Sequence, residues 1–307
     1  MSEPPLVSVV LATTRHSPYL ADALASVAAQ THPAWELIIV DDGSPQPEAI
    51  DTLAAGVPGT TVIHQANAGV SVARNVGIAR SRGRYLAFID DDDAWVPERL
   101  ALQVAALTER PDAVASYGQI DFLDEDGTVF GTGTVGPGDF GAFLRTDTGV
   151  PIVTLMVVRR ALDRVGVFHP MFALGEDLDL TYRLARTGPF VFVPDVLVHY
   201  RRHGANMTGD SREAALWSRR ALWLQQWWST RAGETGVLDD VRIGLRTAGR
   251  YWTDRIIQEA VHQARIGHPS VAAHYLAFVA RYDPVAGLRS FGALAQRKLR
   301  PPVRPGG

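Results

Sequence analysis

"LVSVVLATTRHSPYLADALASVAAQTHPAWELIIVDDGS", residues 6–44, decides the fold class. Residues 6–12 and 35–40 are continuous apolar runs of strand length. Runs without alternation belong to strands that are covered on both faces. Between them, residues 19–30 carry apolar side chains at helical spacing. The same unit repeats outward, with strands at 60–65 and 84–89 and helices at 47–55, 70–82 and 97–110. Strict alternation predicts a parallel, doubly wound α/β sheet. Ligands of such sheets sit beyond the carboxyl ends of the strands.

Acids crowd two of those ends: "DDGSPQP" follows the second strand and "DDDDAWVP" the fourth. Four adjacent carboxylates repel one another and resist burial, so they need water or a cation. As a solvated cap they would only favour the helix that Pro97 starts. Asp90 and Asp92, however, are alternate residues at a strand end and can aim oxygens at one point. Mg²⁺ or Mn²⁺ is held by such a pair together with a diphosphate. Asp42, in "DDGS", suits a strand exit and turn, or a contact to a nucleotide base N–H or ribose hydroxyl. Arg74 lies on a helix entered through Gly69 and is either a surface arginine or a phosphate ligand.

"GEDLDLTYRLARTG", residues 175–188, reads as a short helix closed by Gly188. Glu176 and Asp177 occupy its first turn, where acids suit the helix dipole. The functional alternative is a general base that accepts a proton from an attacking hydroxyl. His199 and His203 are four apart, but no acid lies between them and Gly204 follows. With Arg201 and Arg202, His203 suits a phosphate-covering loop better than a zinc helix. "GTGTVG", residues 131–136, matches a dinucleotide pattern, yet it follows a hairpin turning at Asp126-Gly127 and opens no helix. It reads as a flexible loop.

The 307 residues contain no cysteine, which removes thiol nucleophiles, disulfides and cysteine metal sites. Lys298 is the one lysine and sits in a Pro/Arg tail, which argues against a phosphate-loop lysine or a Schiff base. A net charge of -3 gives no general attraction to nucleic acid or to anionic membrane, so any such contact must be local. The longest apolar stretch, near residues 150–158, falls short of the roughly 20 residues of a membrane span. The N-terminus carries no signal-like segment, and the expected location is cytoplasmic, with or without peripheral association at the inner face of the membrane.

The rest of the chain offers strands at 150–160 and 190–204, then helices at 211–231, 239–266 and 270–279 rich in tryptophan. Core packing is the ordinary use of such tryptophans. The expected division is 1–208 as the catalytic domain, 209–298 as a helical extension and 299–307 as a disordered tail.

Four blocks in order, "VSVVLATTRHSPYLADALASVAAQTHPAWELIIVDDGS", "NAGVSVARNVGIARSRGRYLAFIDDDDAWVPERL", "GEDLDLTYRL" and "YRRHGANMT", resemble the inverting glycosyltransferase family 2. The resemblance covers roughly the first two-thirds of the chain. It implies a GT-A type mixed α/β sheet with a helical extension, a nucleotide-diphospho-sugar donor, and Mg²⁺ or Mn²⁺ as cofactor. By position, Asp42 corresponds to the acid that contacts the base, with Thr13 beside it. Asp90 and Asp92 correspond to the DXD motif on metal and diphosphate, and Asp177 to the catalytic base. Arg74 and His203 fall where phosphate or lid contacts belong. Relatives usually read Pro-Thr-Tyr-Asn where this chain reads Ala12-Thr13-Thr14-Arg15, so the tyrosine that stacks near the base is missing. The acceptor is open among a glycan, a lipid-linked sugar, a natural product and a peptide, and the C-terminal helices are candidates for a homodimer contact. Two other classes fit parts of the pattern: a nucleotide-sugar-binding protein without catalysis, and a sugar nucleotidyltransferase. The latter wants a Gly-rich loop after the first strand, which "ATTRHSPYL" lacks.

Overall fold

A computed structural model describes residues 3–204 and 210–290, and the chain divides into two compact units at Asn206/Met207. The tail at 299–307 lies outside the described residues.

The first unit is built on one nine-stranded mixed sheet. Its first half follows the alternation in the sequence: β1 (Val7–Thr13), α1 (Leu20–Ala28), β2 (Trp35–Asp42), α2 (Pro47–Ala54), β3 (Thr60–Gln65), α3 (Val70–Arg80), β4 (Tyr85–Asp90). These four strands are parallel in the order β3-β2-β1-β4. Val9, Leu11, Leu37, Ile39 and Leu86 are fully buried, as strands covered on both faces require. A Cβ at Gly77 would overlap the Val10 side chain, so glycine there lets α3 lie close against β1.

Beyond β4 the sheet is no longer parallel. β8 (Met156–Val158) is antiparallel to β4 and to β6 (Ala115–Leu123). β9 (Phe190–Arg201) then runs parallel to β6, and the two-residue β5 (Ala94–Trp95) pairs antiparallel with β9. The order is β3-β2-β1-β4-β8-β6-β9-β5, with β7 (Val129–Thr132) forming a hairpin with β6. α4 (Arg99–Glu109) follows β5, and α5 (Phe140–Arg145) follows β7.

Three local expectations are corrected. The strand expected over 150–160 is a 3-10 turn, Ile152–Thr154, then the three residues of β8, and α6 (Arg159–Val165) already begins at Arg159. Pro151 opens that turn, and its carbonyl accepts from both the Thr154 N–H and the Thr154 hydroxyl. Unbroken apolar runs do not distinguish strand from other buried backbone. α7 (Glu176–Ala185) ends before Gly188, which instead lies against Val114, where a Cβ would come within 2.7 Å of Val114 Cγ1. Residues 131–136 are pinned rather than loose: Gly131 and Thr132 belong to β7, Val135 is held by Gln119 in both directions, and Gly136 N–H donates to Thr148 Oγ1 at 3.1 Å.

The second unit is helical: α8 (Ser211–Ala232), α9 (Thr235–Arg265) and α10 (Pro269–Tyr282). Ala215, Ile256, Ile257, Ala272, Tyr275 and Val279 form its core. Arg219 stacks on Tyr282 at 3.6 Å and donates to the Tyr282 carbonyl at 2.7 Å. The expected core role of the tryptophans fails on α8, where Trp223, Trp227 and Trp228 stand exposed. No helix among the described residues is long and apolar enough to cross a membrane.

Candidate active site

Parallel register carries the acids to one edge: Ala12 lies beside Asp90, and Thr13 beside Asp41. At the end of β4 the chain leaves the extended conformation, with Asp93 N–H donating to the Asp90 carbonyl at 3.3 Å. Asp90, Asp92 and Asp93 then place one oxygen each within 4.8 Å of the others. Strand alternation identifies only the first two of these. The turn adds Asp93, because in a tight turn residues i, i+2 and i+3 converge. Pairing of β5 with β9, at Ala94 with His199, clamps the turn in place.

The environment makes Asp91, Asp92 and Asp93 costly to ionise. Burial pushes Asp91 up to about 6, against a hydrogen bond of 2.5 Å from Thr13 Oγ1. Asp92 is raised by burial and by Asp90, against its 2.8 Å contact with His203 Nε2. Asp93 is raised well above the usual carboxylate range, by complete burial and the Asp90 and Asp92 charges, and its Oδ2 has no hydrogen-bond partner among the described residues. Three converging carboxylates, one of them with an unpartnered oxygen, fit a divalent cation such as Mg²⁺ or Mn²⁺. Asp91 points elsewhere, to Thr13.

Arg74, fully buried on α3, donates Nη2 to Asp90 at 2.8 Å and Nη1 to Glu176 at 2.6 Å. Burial opposes its charge, but Asp90 and Glu176 outweigh it and raise its pKa. Its observed contacts tie the end of β4 to the start of α7. Glu176, read only as a helix-dipole acid or base candidate in the sequence, is the second anchor of that tie.

Asp177, the next residue, is half-buried at the N-terminus of α7 and accepts the Leu178 N–H at 2.7 Å. Burial and the neighbouring Glu176 lift it to about 7, against the pull of the Leu178 N–H and Arg74. A carboxylate balanced near neutrality has the properties of a general base.

Asp42 is nearly closed to solvent, accepting from Gln65 Nε2 at 2.7 Å and from the Ala68 and Gly69 N–H groups at 2.8 Å each. It shapes the loop that enters α3, where Gly69 adopts φ +92°. His203 sits beside Tyr19, with ring centroids 5.2 Å apart, and holds Asp92. Arg201, missed as a hub in the sequence, donates its N–H to Asp93 at 2.9 Å, Nε to the Asp92 carbonyl at 3.2 Å and Nη2 to Asp22 at 3.1 Å. The structure therefore links Arg74, Asp90, Asp92 and His203 with Thr13 through Asp91, and Asp177 adjoins this group as the neighbour of the Arg74-bound Glu176. Asp42 stands one strand away.

A family model for glycosyl transferase family 2 matches residues 8–164, just over half of the chain. The chain belongs to glycosyl transferase family 2. An uncharacterized glycosyltransferase, alr2836 of Nostoc sp., is 32% identical over 65% of this chain and 66% of its own length. The Bacillus subtilis protein named as teichuronic acid biosynthesis glycosyltransferase TuaG is 38% identical over 40% of this chain and 50% of its own. The chain thus spans less than two thirds of these relatives. Among solved structures, the mannosyltransferase PcManGT from Pyrobaculum calidifontis, in complex with GDP-Man and Mn²⁺, superposes with a TM-score of 0.63 at 18% identity, covering 98% of this chain and 82% of that one. S. aureus TarS 1-349 in complex with UDP-GlcNAc gives 0.62 at 17% identity, covering 90% and 91%. These likenesses show the GT-A type fold for this family 2 chain, a mixed sheet with helices after it.

Proposed function

We propose that this family 2 chain moves a sugar from a nucleotide-diphospho-sugar to an acceptor hydroxyl in one displacement, with inversion at the anomeric carbon. The observation that carries this reading is the Arg74 bridge, which holds the base candidate's helix against the carboxylate cluster through Glu176 and Asp90. Acid and metal chemistry thereby share one site.

Asp177 accepts the acceptor's proton as its oxygen forms the new bond to the anomeric carbon. The bond from that carbon to the diphosphate breaks on the opposite face, and the electron pair leaves with the nucleoside diphosphate. Such general-base help is worth about a hundred- to ten-thousand-fold in rate. Asp90, Asp92 and Asp93 would hold a divalent cation, which when bound neutralises charge on the leaving diphosphate. The complexes of PcManGT with GDP-Man and Mn²⁺ and of TarS with UDP-GlcNAc support the donor class and the metal. Asp42 orders the loop beside the nucleotide edge, and His203 steadies Asp92 from the β9 side.

Screening nucleotide-sugars by thermal unfolding, with and without Mn²⁺, tests the reading. One donor class should stabilise the protein only with metal, and that donor should then support transfer. Metal-independent binding of all nucleotides alike, or release of pyrophosphate, would count against it.

A further inference from the structure

We propose that the outer face of α8 docks on an anionic lipid bilayer, lying in the plane of the headgroups. Leu216, Arg220, Trp223, Leu224, Trp227 and Arg231 recur at three- and four-residue steps and so share one side of this 22-residue helix. That side is exposed: Trp223 is 51% accessible, Trp227 50% and the adjoining Trp228 55%. The opposite side, with Ala215, Ala221, Leu222 and Ser229, is buried. A soluble helix ordinarily reverses this pattern, with aromatics inward.

The polar partners of the exposed rings point to what covers them. Arg231 lies over Trp227 at 5.0 Å, and Arg220 stands exposed on the same side between Leu216 and Trp223. Guanidinium beside indole suits the boundary between headgroup and acyl chain, where the ring enters the apolar layer and the cation meets phosphate. Glu213 is the only acid on α8.

Charge along the chain points the same way. Residues 1–206 hold 15 basic and 25 acidic side chains, a formal -10, whereas residues 207–307 hold 15 basic and 8 acidic, a formal +7. The overall -3 conceals this division. A positive unit carrying an exposed tryptophan stripe complements an anionic surface. Two copies facing each other through the same stripe would set Arg220 and Arg231 of one against those of the other, which disfavours self-pairing as the occupant. The inference goes beyond the transferase reading and stands without it.

The test is sedimentation of the full-length protein with phosphatidylglycerol/phosphatidylcholine vesicles, compared with phosphatidylcholine alone. The protein should pellet with the anionic vesicles, release in 0.5 M salt, and show tryptophan quenching by shallowly brominated lipid. Trp223→Ser with Trp227→Ser, at exposed positions, should lower partition about tenfold or more, and Arg220→Glu with Arg231→Glu should do likewise by reversing charges. Quenching of the native protein keeps the test independent of how the variants fold. Absence of partition, partition unchanged in both double variants, or a stable dimer that the tryptophan variant dissolves would overturn the proposal.

Discussion

Arg74 and Glu176, 102 residues apart in the chain, meet at 2.6 Å between Nη1 and Oε1, while the other Nη of the same guanidinium holds Asp90. Both contacts are shielded from solvent on the arginine side, so losing the arginine leaves two acids, one of them buried, without a counter-charge. Arg74→Ala should destabilise the protein by about 3–5 kcal/mol in urea unfolding. Arg74→Lys, a point charge that reaches one acid but not both, should cost less stability yet still lower turnover, because α7 is no longer fixed to β4. Equal activity in the lysine variant would show that the bridge does not position Asp177.

The pKa of Asp177 couples rate to pH. A base must be ionised, so transfer should rise with pH through about 7 and then level off. Asp177→Asn should lose that limb of the kcat/KM profile.

Stability should run the other way. Because the folded pKa of Asp177 lies above its ordinary value of 3.8, folding favours the protonated form. Its stabilising contribution is present in acid and is lost as pH rises from about 4 to about 7. Asparagine can still accept the Leu178 N–H, so Asp177→Asn should be more stable than the native protein at pH 8 by roughly 2–4 kcal/mol, with little difference at pH 4. Denaturant titrations at the two pH values check this.

Metal binding should discriminate among the four aspartates. Asp93 belongs to the converging set and Asp91 does not. Asp93→Asn should weaken Mn²⁺ binding about tenfold or more, and Asp91→Asn far less. Since Asp92 and Asp93 are raised, binding should release protons and tighten with increasing pH, which calorimetry in buffers of different ionisation enthalpy measures.

Thr13 has a defined task in the same turn. Its hydroxyl contacts Asp91 and counters the upward push of burial on that carboxyl. Thr13→Val removes the partner and leaves a buried acceptor, so it should cost about 1–3 kcal/mol and raise the Asp91 pKa above about 6. Carboxyl ¹³C shifts against pH would read the second effect.

The half of the fold that was legible in the sequence is the half whose contacts are local in order. Each of β1, β2 and β4 is a largely apolar run that ends in polar residues, and helical spacing fills every interval. The second half depends on pairing between distant segments: β8 sits between β4 and β6, and β9 runs beside β6. No periodicity encodes such neighbours, and the three residues of β8 are too few to show one. The site divides in the same way. Asp90 and Asp92 are visible because a strand end projects alternate residues together, whereas Asp93 joins them through a turn. Glu176 acquires its role only when folding presents Arg74 to it. Arg201 acts largely through backbone carbonyls and its own N–H, contacts that carry no residue-type signature.

The central claim is that Asp177 removes the acceptor's proton during a single inverting displacement. The most direct measurement follows the anomeric configuration and rate of transfer from an α-linked nucleotide-sugar, by NMR, for the native protein and Asp177→Asn. The account predicts a β-linked product and a loss of about a hundred- to ten-thousand-fold in the variant with donor affinity retained. An α-linked product, or native turnover in Asp177→Asn, would contradict it.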